Sequence, residues 1–182
     1  MAVFDYDPPE RFVAGTVGPP GSRTFFLQAR ARGALTTVAL EKAQVAALAE
    51  RVGELLDEIV RRSGGQAPVP AMAPAGAEDT APLDTPIEEE FRVGTMSLAW
   101  DGERRLVVIE CFEVLESDAE EEPGEPDPAR AVLRVSISGA AARAFAARAL
   151  ALVAAGRPPC PFCSGPLDPE GHICPRANGY RR

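Results

Sequence analysis

Twice along this chain, three runs rich in Val, Phe, Thr and Leu precede a segment whose apolar residues recur every three to four positions. That doubled order constrains the fold more than any other feature. Residues 11–18 (RFVAGTVG), 23–31 (RTFFLQARA) and 33–40 (GALTTVAL) read as strands broken by Pro19-Pro20-Gly21 and by Gly33. From Glu41 the period changes, and Val45, Leu48, Val52, Leu55, Leu56 and Ile59 make one helix face. Glu41 suits the positive end of that helix dipole, Arg61 and Arg62 the negative end, and Gly64-Gly65 stops it.

The second pass repeats the first. Residues 91–100 (FRVGTMSLAW) read as a strand, Asp101-Gly102 as a hairpin turn, and 104–115 (RRLVVIECFEVL) and 131–137 (AVLRVSI) as further strands. Ser138 can N-cap a helix whose face is Ala142, Phe145, Ala149, Leu152 and Val153, and Gly156 ends it. The first strands also share a local likeness, FVAGT at 12–16 beside FRVGT at 91–95. The expectation is a duplicated βββα unit, residues 1–65 and 90–156. One such unit leaves a sheet face and strand edges bare. Two related by a pseudo-two-fold share a core: an α+β protein with a mainly antiparallel, six-stranded sheet or barrel and two packed helices.

Two segments interrupt the pattern. Residues 66–89 are rich in Pro and Ala and read as a flexible linker, since they bury too little apolar surface to offset ordering. Residues 116–129 read as an acidic loop: Glu113, Glu116, Asp118, Glu120, Glu121, Glu122, Glu125 and Asp127 crowd into and around it. The formal net charge of the 182 residues is -8, which argues against general nucleic-acid binding and against an anionic membrane surface. The first residues show neither the basic nor the apolar region of a secretory signal, and no apolar run reaches the roughly 18 residues of a membrane span. The expected location is the cytoplasm, where clustered cysteines point to metal rather than to disulfides.

Three of the four cysteines fall in the tail, residues 157–182, within CPFCSGPLDPEGHIC. A Cys-x-x-Cys turn sets the thiolates of Cys160 and Cys163 toward one ion. Pro161 fixes the backbone inside the turn, and Gly165 can take the dihedral that aims amides at the sulfurs. The turn at 168–171 brings the chain back, and His172 and Cys174 alternate about Ile173 so that both face the ion. Cys160, Cys163, His172 and Cys174 are the predicted metal ligands. A closed set of three thiolates and an imidazole is a structural zinc site, with iron the minor alternative. The ion would staple a tail too short to hold itself. Arg176, Asn178 and Tyr180 follow as candidates for a polar recognition surface.

No catalytic constellation stands out. The only histidine, His172, is assigned to the metal, which removes Ser-His-Asp and Cys-His chemistry, and no phosphate loop is present. Cys111 reads as a buried, inert thiol.

The tail CPFCSGPLDPEGHICPRANGY and the opening FDYDPPERFVAGTVGPPGSRTFFLQA resemble those of an actinobacterial family of conserved hypothetical proteins, domain-of-unknown-function family 3090. The resemblance runs over nearly the whole chain and brings no activity with it. It implies a gene setting beside a phosphatidylinositol-kinase-like and a histidine-phosphatase-like protein, hence those two as candidate protein partners. The reading therefore leans away from an enzyme and toward a zinc-binding adaptor or regulatory protein acting through protein partners. Its alternative is an enzyme or small-molecule binder with a pocket between the repeats, for which Arg11, Arg23, Arg104 and Glu110 are the polar candidates. Nucleic-acid binding through the zinc tail ranks last, and a basic surface on that tail would favour it.

Overall fold

The computed structural model describes residues 2–19, 21–114, 130–156, 160–163, 174 and 176. Its elements are β1 (Val3–Tyr6), β2 (Arg11–Val17), β3 (Thr24–Ala31), β4 (Ala34–Leu40), α1 (Lys42–Arg62), β5 (Glu89–Asp101), β6 (Leu106–Glu113), β7 (Val132–Ser138) and α2 (Gly139–Ala154). The protein is α+β: the described residues form two helices and one seven-stranded mixed sheet in the order β1-β7-β6-β5-β4-β3-β2.

The strand count is one more than expected. Residues 3–6 look like an acidic lead, but Val3 pairs with Val132 and Tyr6 with Val135 in a parallel ladder on β7. Helix α1 starts at a capping box in which the Glu41 side chain accepts from the Gln44 backbone and Gln44 returns the bond to the Glu41 N–H. Helix α2 is N-capped by the Ser138 hydroxyl, which accepts from the Ala141 N–H at 3.2 Å. The expected acidic loop, 116–129, lies outside the described residues, as does most of the tail.

The connection between the edge strands shows the shape of the sheet. Strands β1 and β2 stand at opposite ends of the order, six spacings apart, about 29 Å if the sheet were flat. Yet only residues 7–10 join them, and that link reaches at most about 19 Å. The sheet therefore curls. Across the curl the buried Tyr6 hydroxyl donates to Thr36 Oγ1 in β4 at 2.8 Å, and Phe4 of β1 meets Phe91 of β5 with ring centroids 6.2 Å apart.

The two units join in the same manner at both junctions. Residues 89–92 of β5 pair in parallel with β4, and residues 93–101 pair antiparallel with β6. In the first unit β1 and β2 divide that role: β1 is parallel to β7, and β2 is antiparallel to β3. Tyr6 thus lies opposite Val135 as Phe91 lies opposite Val38.

The inner face of the sheet and both helices form the main core. Ala14, Leu27, Val38, Phe91, Ile109, Leu133 and Val135 meet Val45, Val52 and Leu56 of α1 and Ala142 and Phe145 of α2. Phe12 of β2 stacks on Phe145 with centroids 4.6 Å apart. Such contacts bring together residues more than a hundred positions apart, so neither unit encloses its core alone.

The segment expected to be a flexible linker, 66–89, is instead a strap with defined anchors that runs to residue 88, where β5 takes over at Glu89. Val69 is buried, and a Cβ on Gly139 at the start of α2 would approach Val69 Cγ2 to 2.8 Å. Arg143 of α2 donates from Nε to the Pro70 carbonyl at 3.1 Å. The strap then crosses the outer face of β2 and β3, where Leu83 joins Val13, Phe26 and Ala39 in a second apolar cluster. Gln28, itself buried, holds Asp84 at two points: its amide N–H donates to the Asp84 carbonyl at 3.0 Å, and its oxygen accepts the Asp84 N–H at 2.7 Å.

Candidate metal centre

The structure places the Cys160, Cys163 and Cys174 sulfurs within 4.8 Å of one another. Cys160 and Cys174 are buried, and Cys163 is half-buried. None of the three is in a disulfide, and Cys160 Sγ lies 3.8 Å from Cys174 Sγ, far beyond a disulfide bond. A tetrahedral ion with metal–sulfur bonds of about 2.3 Å sets its sulfurs about 3.8 Å apart, so the observed spacing fits a shared ion. His172, the fourth predicted ligand, lies outside the described residues.

The turn at 160–163 accounts for this convergence. Two cysteines three positions apart on one tight turn both face inward, and Cys174 closes the group from fourteen residues away. The Phe162 N–H donates to Cys160 Sγ at 3.4 Å, the amide-to-sulfur bond expected of such a knuckle. Burial acts to raise the Cys160 thiol. The backbone N–H groups of Cys163 and Phe162, with the thiols of Cys163 and Cys174, outweigh it and hold the group below its ordinary range. That favours the thiolate, the form that binds a metal. Chemically the three groups can hold a thiophilic divalent ion, and zinc is consistent with the donor set.

The fourth cysteine is of another kind. Cys111, on the inner face of β6, is enclosed by the core, and burial pushes its thiol up to about 12. It is an inert core residue at neutral pH.

The residues considered for a pocket between the units are not brought together. Arg11 forms a two-pronged ion pair with Asp79 of the strap, 2.6 Å from Nε and 2.9 Å from Nη2. Arg23 donates to the Ala155 carbonyl at 2.6 Å. Arg104 pairs with Asp7 at 2.6 Å, and Glu110 accepts from Ser97 and from Arg134, both at 2.8 Å. A cavity of about 580 Å³ beside β1 has Asp5, Asp7, Arg32 and Glu90 in its lining but none of these four, whereas Arg11 lines a smaller one of about 320 Å³ between β2 and α2 with Asp79 and Arg148, and Arg23 one of about 280 Å³ beside α2.

Two features escaped sequence reasoning. One is the clamp on the strap: Arg148 of α2 donates to the Ala14 carbonyl at 2.8 Å, to Asp79 Oδ1 at 3.0 Å and to the Ala81 carbonyl at 2.8 Å. The other is Phe162. Between two inward-turned cysteines its side chain has to point outward, and it is 64% exposed.

Fold and site together define an α+β protein with a curled sheet and a thiol cluster in its tail. Over residues 4–174 it matches the family model described as "Protein of unknown function (DUF3090)", and the chain belongs to that family. No curated protein and no solved structure matches it. No helix among the described residues is long and apolar enough to cross a membrane.

Proposed function

We propose that this protein is a zinc-binding adaptor or regulatory protein without catalytic activity, whose tail is stapled by one ion held by Cys160, Cys163, Cys174 and His172. The carrying observation is the convergence of three thiols within 4.8 Å of one another, one pair of them at the 3.8 Å that suits a tetrahedral ion. The dispersal of Arg11, Arg23, Arg104 and Glu110 into separate structural contacts favours a scaffold over an enzyme. The cytoplasm is the compartment that keeps such thiols reduced. Elemental analysis of the purified protein beside Cys160→Ser tests the metal. One zinc per chain, lost in the variant, supports the reading. Iron with visible colour moves it toward redox chemistry, and no metal refutes it.

The adaptor role requires partners. The gene setting that accompanies the family resemblance offers a phosphatidylinositol-kinase-like and a histidine-phosphatase-like protein. Co-purification with either, abolished by Cys163→Ser, is the expected result, and intact binding by a metal-free variant refutes a role for the tail. We further propose that the two βββα units arose by duplication. The matched junctions, and glycines at Gly15 and Gly94 in corresponding strands, support this.

A further inference from the structure

The tail presents a second chemistry on its outer surface. The backbone of Phe162 is tied at both ends: its N–H donates to Cys160 Sγ at 3.4 Å, and its carbonyl accepts from Arg176 Nη1 at 3.2 Å. The ring itself is 64% exposed. An aromatic group is therefore held outward on a fixed turn, beside an exposed guanidinium. Such pre-ordering lowers the entropy lost when something docks on the ring.

Charge is distributed to match. Of the 19 Lys and Arg and 27 Asp and Glu, residues 157–182 hold four arginines and two carboxylates. The first 156 residues hold the other 15 and 25. A polyanion is repelled by the body and attracted to the tail alone. The complementary ligand has a flat apolar face next to a phosphate, which describes an unpaired nucleotide. Bases in single strands stack on aromatic side chains while arginines engage the phosphates, and zinc knuckles are among the modules that use this mode. In a duplex the base faces are closed off, and the acidic body would be drawn against the second strand.

We propose that the knuckle is a short single-stranded nucleic-acid site, with Phe162 as the stacking platform and Arg176 as the phosphate contact. This goes beyond the adaptor role and rests on the metal reading, because the ion holds the turn. The test uses the full-length, zinc-loaded protein and a short fluorescein-labelled oligouridylate, read by fluorescence anisotropy at low salt. The zinc content of every sample is measured in parallel. The expected result is saturable binding by the wild type, weakened about tenfold or more in Phe162→Ala and restored in Phe162→Trp. Arg176→Ala should flatten the dependence of log affinity on log salt by about 0.7, one phosphate on a single strand.

A zinc-loaded wild type that does not bind overturns the site and leaves the metal reading standing. Absence of zinc overturns the metal reading first. Equal binding of a duplex, or of Phe162→Ala with its zinc intact, shows attraction without stacking and also overturns the proposal. So does full competition by polyglutamate, which would assign the surface to an acidic protein.

Discussion

Gly15 and Leu83 should behave as one unit. Gly15 lies in β2 with ordinary strand backbone, so alanine is conformationally acceptable there. Its Cβ, however, would fall 2.5 Å from both Cγ and Cδ2 of Leu83 and 2.9 Å from Cδ1. Leu83 therefore has to leave its seat in the outer cluster. Losing that burial costs about 1.5–3 kcal/mol, while replacing glycine by alanine returns about 0.4–1 kcal/mol through the unfolded chain. Gly15→Ala should thus destabilise by about 1–2 kcal/mol, and Leu83→Ala by about 2 kcal/mol. Once Leu83 is truncated the clash is gone, and adding Gly15→Ala should be neutral or stabilising by about 0.5 kcal/mol. The four proteins of this cycle can be compared by urea unfolding. Coupling of about 1.5–3 kcal/mol is expected; additivity to within about 0.5 kcal/mol would refute a strap seated on Gly15.

Two further measurements probe the titrating groups. Asp79 sits below its ordinary carboxyl range, chiefly through the hydrogen bond from Arg11 and against the effect of burial. A depressed folded value stabilises above the unfolded pKa, near 4, and that contribution fades as pH falls through the folded value. Urea midpoints from pH 7 to 3 should therefore fall more steeply for the wild type than for Asp79→Asn, and parallel profiles would refute the latch. For the cysteines, Ellman's reagent should titrate three thiols in metal-stripped native protein and the fourth, Cys111, only after unfolding. Rapid reaction of all four in the native state would contradict the burial.

What could be read in the sequence was whatever local spacing encodes. The periodicity from Val45 to Ile59 located α1, and the runs rich in Val, Phe, Thr and Leu between Gly and Pro breaks located β3, β4, β6 and β7 to within a few residues. Cys-x-x-Cys located the thiol turn because both ligands belong to it. What could not be read depended on distant partners. Val3–Tyr6 becomes a strand because β7, over a hundred residues later, offers a parallel edge; next to Asp7-Pro8-Pro9 it has the look of a loop. The strap is poor in large apolar side chains, yet Asp79 is fixed by Arg11 and Arg148, each almost seventy positions away. Composition measures how much a segment can bury, not whether a few anchors have been prepared for it. Those preparations lie outside the strap: the missing side chains of Gly15 and Gly139, the buried amide of Gln28 and the guanidinium of Arg148.

The anchors are also crossed, and that has a consequence for a cut chain. Before residue 72 the strap is bound to the second unit, through Val69 on Gly139 and Pro70 on Arg143. After residue 78 it is bound to the first unit, through Asp79 on Arg11, Leu83 over Gly15 and Asp84 on Gln28, while Arg148 of α2 also holds Asp79 and Ala81. Between them the strap is open, with Met72 79% exposed, so a protease that cuts after small residues should nick there first. Each fragment would then keep its own strap end clasped to the other unit, in addition to the β4–β5 and β1–β7 ladders. The two pieces should co-elute from a sizing column at neutral pH and come apart only in denaturant. Separation without denaturant would mean that the strap merely tethers the units, and that its contacts contribute little to holding them together.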